Sequence, residues 1–301
     1  MSKKLLLGVI IVLLITNIAS LLFWNKDETV VISTDEEGSE ISREQPVAVI
    51  DGEEISYDEW MSVLRSNHGE KQLKTMIDGA VVKQLADERN IEIDEKVIER
   101  ETAMLTAMQG VMSQEEFEQI AKNWRDDIIY RYQLEMLLTE GTSIPEDEVE
   151  SYYNTYGNQY DYTSSMQLSH IIVQNFDVAE QIIEELEDGA SFDLLAQEYS
   201  TDEESKNDGG YLGFIFTTSQ FFPNGYEEVA NNMEEHSYSE PFRADSGVAI
   251  VYLHRKLPAI KFTYEEMKPY IESELALRKL EQSLNANPLW DELHIEWLYD
   301  E

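Results

Sequence analysis

His170 sits in a run, residues 166–173, where Met166, Leu168, His170 and Ile172 alternate with Gln167, Ser169, Ile171 and Val173. Period-two alternation predicts a strand with His170 on one of its faces. Asp202 follows in an acid-rich loop, YSTDEESKNDGGYLG (199–213), which closes on Gly209, Gly210 and Gly213. Phe214, Phe216, Phe221, Phe222 and Tyr226 then crowd a stretch of loop-like sequence. An imidazole and a carboxylate can hold a polar group, and clustered rings can form an apolar pocket beside them. Each residue also has a plainer reading. A single histidine on a strand is more often a hydrogen-bonded core residue, an aspartate among acids is usually solvated, and aromatics can be core. The glycines are open in the same way. They either close a plain loop that ends at a strand or shape a groove wall, since only glycine takes positive φ freely and admits a close backbone.

Other chemistries are excluded. The chain has no cysteine, so it has no disulfide, thiolate zinc site, thiol nucleophile or lipid-modified N-terminal cysteine. His68, His170, His236, His254 and His294 are scattered without metal spacing. No metal and no cofactor are expected.

The elements that must carry these residues are visible as stripes. Ala179, Ile182, Ile183 and Leu186 repeat at helical spacing, and Gly189 ends that helix. Ser191 caps a second helix with Phe192, Leu195, Ala196 and Tyr199 on one face. GVAIVYL (247–253) reads as a closing strand, so residues 165–255 run strand, helix, helix, glycine loop, short helix, strand. Upstream, residues 47–55 form a hairpin around Asp51-Gly52. Ser56 and Glu59 make a capping box, as do Ser113 and Glu116. Phe117, Ile120, Ala121, Trp124 and Ile128 form one helical face, and Pro145 opens a further helix in its first turn. Downstream, Thr263 and Glu266 cap a helix expected to reach Asn285, with Pro269 limiting its first turn, and a short amphipathic piece (PLWDELHIEWL) ends the chain. A lone terminal helix has no core of its own. It is expected to pack on the earlier helices, which makes the 165–255 unit an insertion.

The chain has 301 residues, 42% of them apolar, with 61 acids against 22 basic residues and a net charge of −39. Nucleic-acid binding is excluded as a main role, because a phosphate backbone needs a basic surface. Residues 5–24 carry no charge and are long enough, at about 30 Å, for a bilayer-spanning helix. Lys3 and Lys4 precede them, which places the remaining chain outside the cytoplasm. A cleaved signal peptide is the alternative, although the apolar run exceeds its usual length. Residues 27–44 hold seven acids and one arginine and read as a solvated tether.

SHIIV (169–173), GASFDLLAQEYSTD (189–202), GGYLGF (209–214) and SEPFRADSGVAIVYL (239–253) together resemble the parvulin type of peptidyl-prolyl isomerase, in order and in spacing. The hairpin, the helical region and the returning terminal helix resemble extracytoplasmic foldases of the PrsA and SurA type. The resemblance covers nearly all of residues 46–301. It implies a helical chaperone domain (46–164), an inserted βαααβ-type parvulin domain (165–256) and a C-terminal helical segment packing on the chaperone domain (257–301); with the transmembrane anchor (1–25) and the acidic linker (26–45) read from hydropathy and charge, the expected chain is α+β. It implies His170 and Asp202 as the catalytic polar pair, and Leu212, Phe221 or Phe222, and Tyr226 as the apolar substrate seat. Tyr211 stands where the family usually has an acid. Ala244 and Ala249 stand where the family has a threonine and a second histidine. His254 cannot substitute, being five residues on, about 16 Å away along a strand and on the opposite face.

The implied partners are unfolded or partly folded secreted polypeptides, and the membrane through the N-terminal helix; a homodimer stays open. Two functions compete. One is an isomerase and foldase. The other is a holdase whose parvulin domain only binds peptides. A wall-attached structural protein is a remote third.

Overall fold

A computed structural model describes residues 29–32, 39–281 and 283–299. The expected anchor, residues 5–24, lies outside them. Among the described residues, no helix is long and apolar enough to cross a membrane. The chain forms two compact units, one of them Asp78–Ile295 and the other built from the residues on either side.

The flanking unit holds two antiparallel hairpins, β1 (Thr29–Ile32) with β2 (Ser39–Ser42) and β3 (Pro46–Ile50) with β4 (Glu53–Ser56). The β3–β4 turn is the expected Asp51-Gly52, with φ of 50° and 91°, the paired positive values a tight hairpin requires. Ser56 caps α1 (Tyr57–Leu64) by accepting from the Glu59 amide at 3.2 Å. A short π-helical turn, Arg65–Gly69, leads into α2 (Glu70–Arg89).

The larger unit continues with α3 (Glu95–Ala107), α4 (Gln114–Thr139) and α5 (Glu146–Tyr156). Ser113 and Glu116 form the full reciprocal cap of α4. Pro145 is the N-cap of α5, one position before the helix rather than inside its first turn.

The sheet domain follows: β5 (Ser165–Val173), α6 (Phe176–Glu187), α7 (Phe192–Tyr199), β6 (Tyr211–Phe216), α8 (Tyr226–Asn231), β7 (Ser237–Tyr238), β8 (Phe242–Ala244) and β9 (Gly247–Leu257). The strand order is β6-β5-β9-β7, β8 also pairs with β9, and every pairing is antiparallel. Three helices are present as expected, and β6 is the strand expected at the end of the glycine loop; β7 and β8 are additional to the strands read from the sequence. β7 and β8 are two and three residues long, too short to show a period, and Gly213 interrupts the pattern of β6.

β5 is central, and all nine of its residues are buried. Its alternation therefore separates two cores instead of a core from solvent. Ile171 and Val173 pack with Ala179, Ile182, Leu186, Leu195 and Ala196 under α6 and α7. Met166, Leu168 and Ile172 pack with Tyr226, Ala230, Ala249, Val251 and Leu253 on the other face. Burying each such aliphatic chain contributes roughly 1.5–3 kcal/mol.

α9 (Tyr264–Leu280) returns to the helical layer. Its Met267, Tyr270, Ile271 and Ala276 share a core with Val97 of α3 and Val149 of α5. Two expectations about it are corrected. The helix runs straight through Pro269, and it stops at Leu280, five residues early, where Glu281 turns left-handed at φ 50°. Proline lacks one amide donor, which costs one ladder bond, and the buried apolar face outweighs that loss. α10 (Asn287–Trp290) is the only helix in the terminal piece among the described residues.

Candidate active site

Three elements deliver the polar centre. β5 carries His170, the loop after α7 carries Asp202 and Ser205, and the start of α8 carries Tyr226. His170 is 8% exposed, and both ring nitrogens are engaged. Nε2 lies 2.9 Å from Asp202 Oδ2 and 3.0 Å from Ser205 Oγ. Nδ1 lies 2.8 Å from the Tyr226 hydroxyl.

The proton positions follow from the partners. A carboxylate only accepts, so Nε2 carries the hydrogen and donates it to Asp202. Nδ1 is then an acceptor, and the Tyr226 hydroxyl donates to it. Ser205 donates its hydroxyl to Asp202 Oδ2 at 2.5 Å and its backbone amide to the same oxygen at 3.3 Å. The result is one chain of donors, from tyrosine to histidine to carboxylate, with the serine closing the far end.

Electrostatics agree with this order. Burial opposes the Asp202 charge, but the hydrogen bonds from Ser205 and His170 outweigh it and hold the carboxyl below its ordinary range. Burial, and then the Asp202 charge, push the Tyr226 phenol well above its ordinary value, so it stays a donor. The Asp202 side chain keeps 27% of its surface. All its hydrogen bonds from His170 and Ser205 fall on Oδ2, which leaves Oδ1 for an incoming group.

The double glycine explains how the loop reaches His170. The Gly210 carbonyl accepts from the His170 amide at 2.8 Å. A Cβ on Gly210 would stand 2.0 Å from the His170 carbonyl oxygen, and one on Gly209 would stand 2.5 Å from Asp193 Cβ. Both take positive φ, 67° at Gly209 and 77° at Gly210. No other residue satisfies both demands.

The apolar residues divide. Tyr226 is 1% exposed and Phe221 78% exposed. Leu212 and Phe222 are half-buried against the cluster that contains Tyr226, together with Met233, Phe242 and Ala244. Phe242 meets the Tyr226 ring edge-on at 5.3 Å. Ala249 is fully buried in the same cluster. His254 faces away from His170 and bonds Ser169 Oγ at 2.8 Å.

Sequence reasoning missed Ser205 and missed the hydroxyl of Tyr226. One signal was present. A serine three residues after the loop acid can fold back on that acid in a short turn. Nothing in the sequence pointed the tyrosine hydroxyl at β5, because that contact spans 56 residues.

The chain is similar in sequence to known proteins. Residues 174–255 match the family described as Rotamase: PPIC-type PPIASE domain. The chain is 33% identical over 258 residues to a putative peptidyl-prolyl cis-trans isomerase, YacD, of Bacillus subtilis, covering 85% of this chain and 86% of that protein. It is 30% identical over 243 residues to the foldase protein PrsA of Halalkalibacterium halodurans, covering 77% and 70%. Among solved structures, the PrsA peptidylprolyl isomerase of Bacillus cereus aligns with a TM-score of 0.31 at 22% identity, covering 85% of this chain and 95% of that one. With identity of this level running along most of both sequences, the chain belongs to the PPIC-type, or parvulin, peptidyl-prolyl cis-trans isomerases, in the group of PrsA- and YacD-like foldases.

Proposed function

We propose that this chain isomerises X–Pro bonds in unfolded secreted polypeptides outside the cytoplasm, tethered by residues 5–24, with residues 165–256 as the isomerase domain and 46–164 and 257–301 as the chaperone domain. The observation that carries the catalytic part is the His170 imidazole, bonded at both nitrogens, behind a partly open Asp202 carboxylate.

Rotation about a peptide bond faces a barrier of roughly 18–20 kcal/mol. No bond breaks, so the task is to hold the twisted amide better than either planar form. Twisting ends the amide resonance. The carbonyl oxygen loses negative charge and the nitrogen gains a lone pair. A fixed carboxylate beside that oxygen penalises the planar forms more than the twisted one. Asp202 Oδ1 fills this role, and Ser205, His170 and Tyr226 keep the carboxylate charged and still. Each tenfold rate gain requires about 1.4 kcal/mol of such discrimination. Leu212, Phe222 and Phe242 seat the proline ring, and Phe221 lies at the exposed rim.

The missing threonine and second histidine are compensated in this reading. Ala244 and Ala249 fill apolar space, while the hydroxyls of Ser205 and Tyr226 supply the two polar contacts. This favours the isomerase over the holdase that only binds peptides. A protease-coupled assay with a short prolyl peptide separates them. The full chain is expected to exceed the uncatalysed rate, and His170→Ala to lower kcat/KM by about tenfold or more. Equal background rates for both proteins would leave the holdase.

A further inference from the structure

On the sheet face opposite His170 lies a cavity of about 930 Å³, between the start of α4, the start of α7, the glycine loop and β9. One wall is a continuous row of rings. Phe192 meets Tyr252 at 5.4 Å, Tyr252 meets His254 at 4.7 Å, and His254 meets Tyr211 at 5.9 Å between centroids. All four are half-buried and line the cavity. The exposed carboxylates of Asp193 and Asp208 stand at its edge, and no lysine or arginine among the described residues lines it.

We propose that this cavity is a second peptide site, which takes a lysine or arginine side chain of the client polypeptide. Ring faces are negative and attract a cation, most strongly where water is displaced. The two carboxylates add charge attraction, and the chain as a whole is at −39, so a basic segment is drawn towards it. Two histidines line the cavity, His236 and His254, and only His254 belongs to the ring row. Burial, and then the nearby His236, lower its pKa to about 4, so it remains a neutral ring at physiological pH. Its Nε2 is tied to Ser169 Oγ, which fixes its plane in the row.

The glycine loop joins the two sites. Gly209 lines the cavity while Gly210 backs onto His170. A client held by a basic side chain on one side would present a nearby proline to the other. This inference rests on the foldase reading for its occupant, but its test does not use isomerisation.

The test is titration of the full chain with proline-free peptides, acetyl-Gly-Ser-Arg-Ser-Gly-amide and its Gln counterpart, followed by calorimetry or by tyrosine resonances. The Arg peptide is expected to bind at least about tenfold more tightly than the Gln peptide. Asp208→Asn, on the exposed rim, and Tyr252→Leu, in the row, are each expected to remove most of that difference. His170→Ala is expected to leave it unchanged. Equal binding of the two peptides, or a preference that survives both substitutions, would overturn the proposal. Loss of isomerisation in His170→Ala with the preference intact would support it, and absent isomerisation in the unsubstituted chain would reflect on the foldase reading alone.

Discussion

At the scale of single residues, the informative substitution is Tyr226→Phe. It removes one oxygen and keeps the ring, so the packing against Phe242 and the buried cluster survives. What it deletes is the donor to His170 Nδ1. Asp202 still fixes the tautomer through Nε2, but Nδ1 is left without its donor, the ring is held at one nitrogen only, and Asp202 loses part of its support. Tyr226 acts through His170, so it is a positioning residue, and its effect is expected in kcat with little change in KM. A fall of about fivefold to tenfold in kcat is expected, with about 1 kcal/mol of lost stability. The pH profile should move too. Asp202 is held below its ordinary range and must be charged to work. Activity is therefore full at neutral pH and lost as pH falls through that depressed value. With weaker support the carboxyl titrates higher, so the acid limb of Tyr226→Phe is expected at higher pH. An unshifted limb with unchanged kcat would show that the hydroxyl is only a structural contact.

At the scale of elements, the glycine loop makes the strictest demand. Gly210→Ala places a methyl carbon 2.0 Å from a backbone oxygen of β5. Backbone cannot give way as a flexible side chain can, so the loop must leave the strand. Thermal or urea unfolding is expected to show a loss above about 3 kcal/mol, within the range for strained and overpacked sites. The same variant should lose isomerase activity, because the loop also carries Asp202 and Ser205. A stable, active Gly210→Ala protein would contradict the described contact between loop and strand.

The elements also show what the sequence could reveal. Stripes and caps were legible: Ala179, Ile182 and Leu186 on α6, the Ser113–Glu116 box on α4, and the Asp51-Gly52 turn. Each depends on neighbours a few residues apart. His170 and Asp202 could be paired only through the family's spacing, and the structure brings them to 2.9 Å. β7 and β8 were not legible, because strands of two or three residues exist only by pairing with β9. Pro269 misled because local propensity favours a break, whereas the face around Met267, Tyr270 and Ile271 is buried in the helical core. The hydroxyl of Tyr226 was hidden for the reason that long-range contacts generally are: no local pattern encodes them.

At the scale of the whole molecule, charge dominates. With 61 acids and 22 bases, most carboxylates have no cationic partner to balance them. Exposed ion pairs such as Arg125–Glu95, 2.5 Å apart, are worth about 0–1 kcal/mol each and weaken with salt. The unbalanced acids repel one another and favour expansion. Screening shrinks the range of that repulsion from about 30 Å at 0.01 M salt to about 10 Å at 0.1 M. The two effects of salt oppose each other, and the excess of acids decides between them. The melting temperature is expected to rise as sodium chloride goes from 0.01 to about 0.3 M, by several degrees for a chain of this size. Chloride is preferable to sulfate, which would stabilise burial for other reasons. Binding of a basic peptide must respond with the opposite sign, since the same screening removes the attraction of Asp193 and Asp208. Stability that rises with salt while basic-peptide affinity falls would tie both to one field. A melting temperature that falls over this range would mean that the ion pairs, not the excess acids, govern the fold.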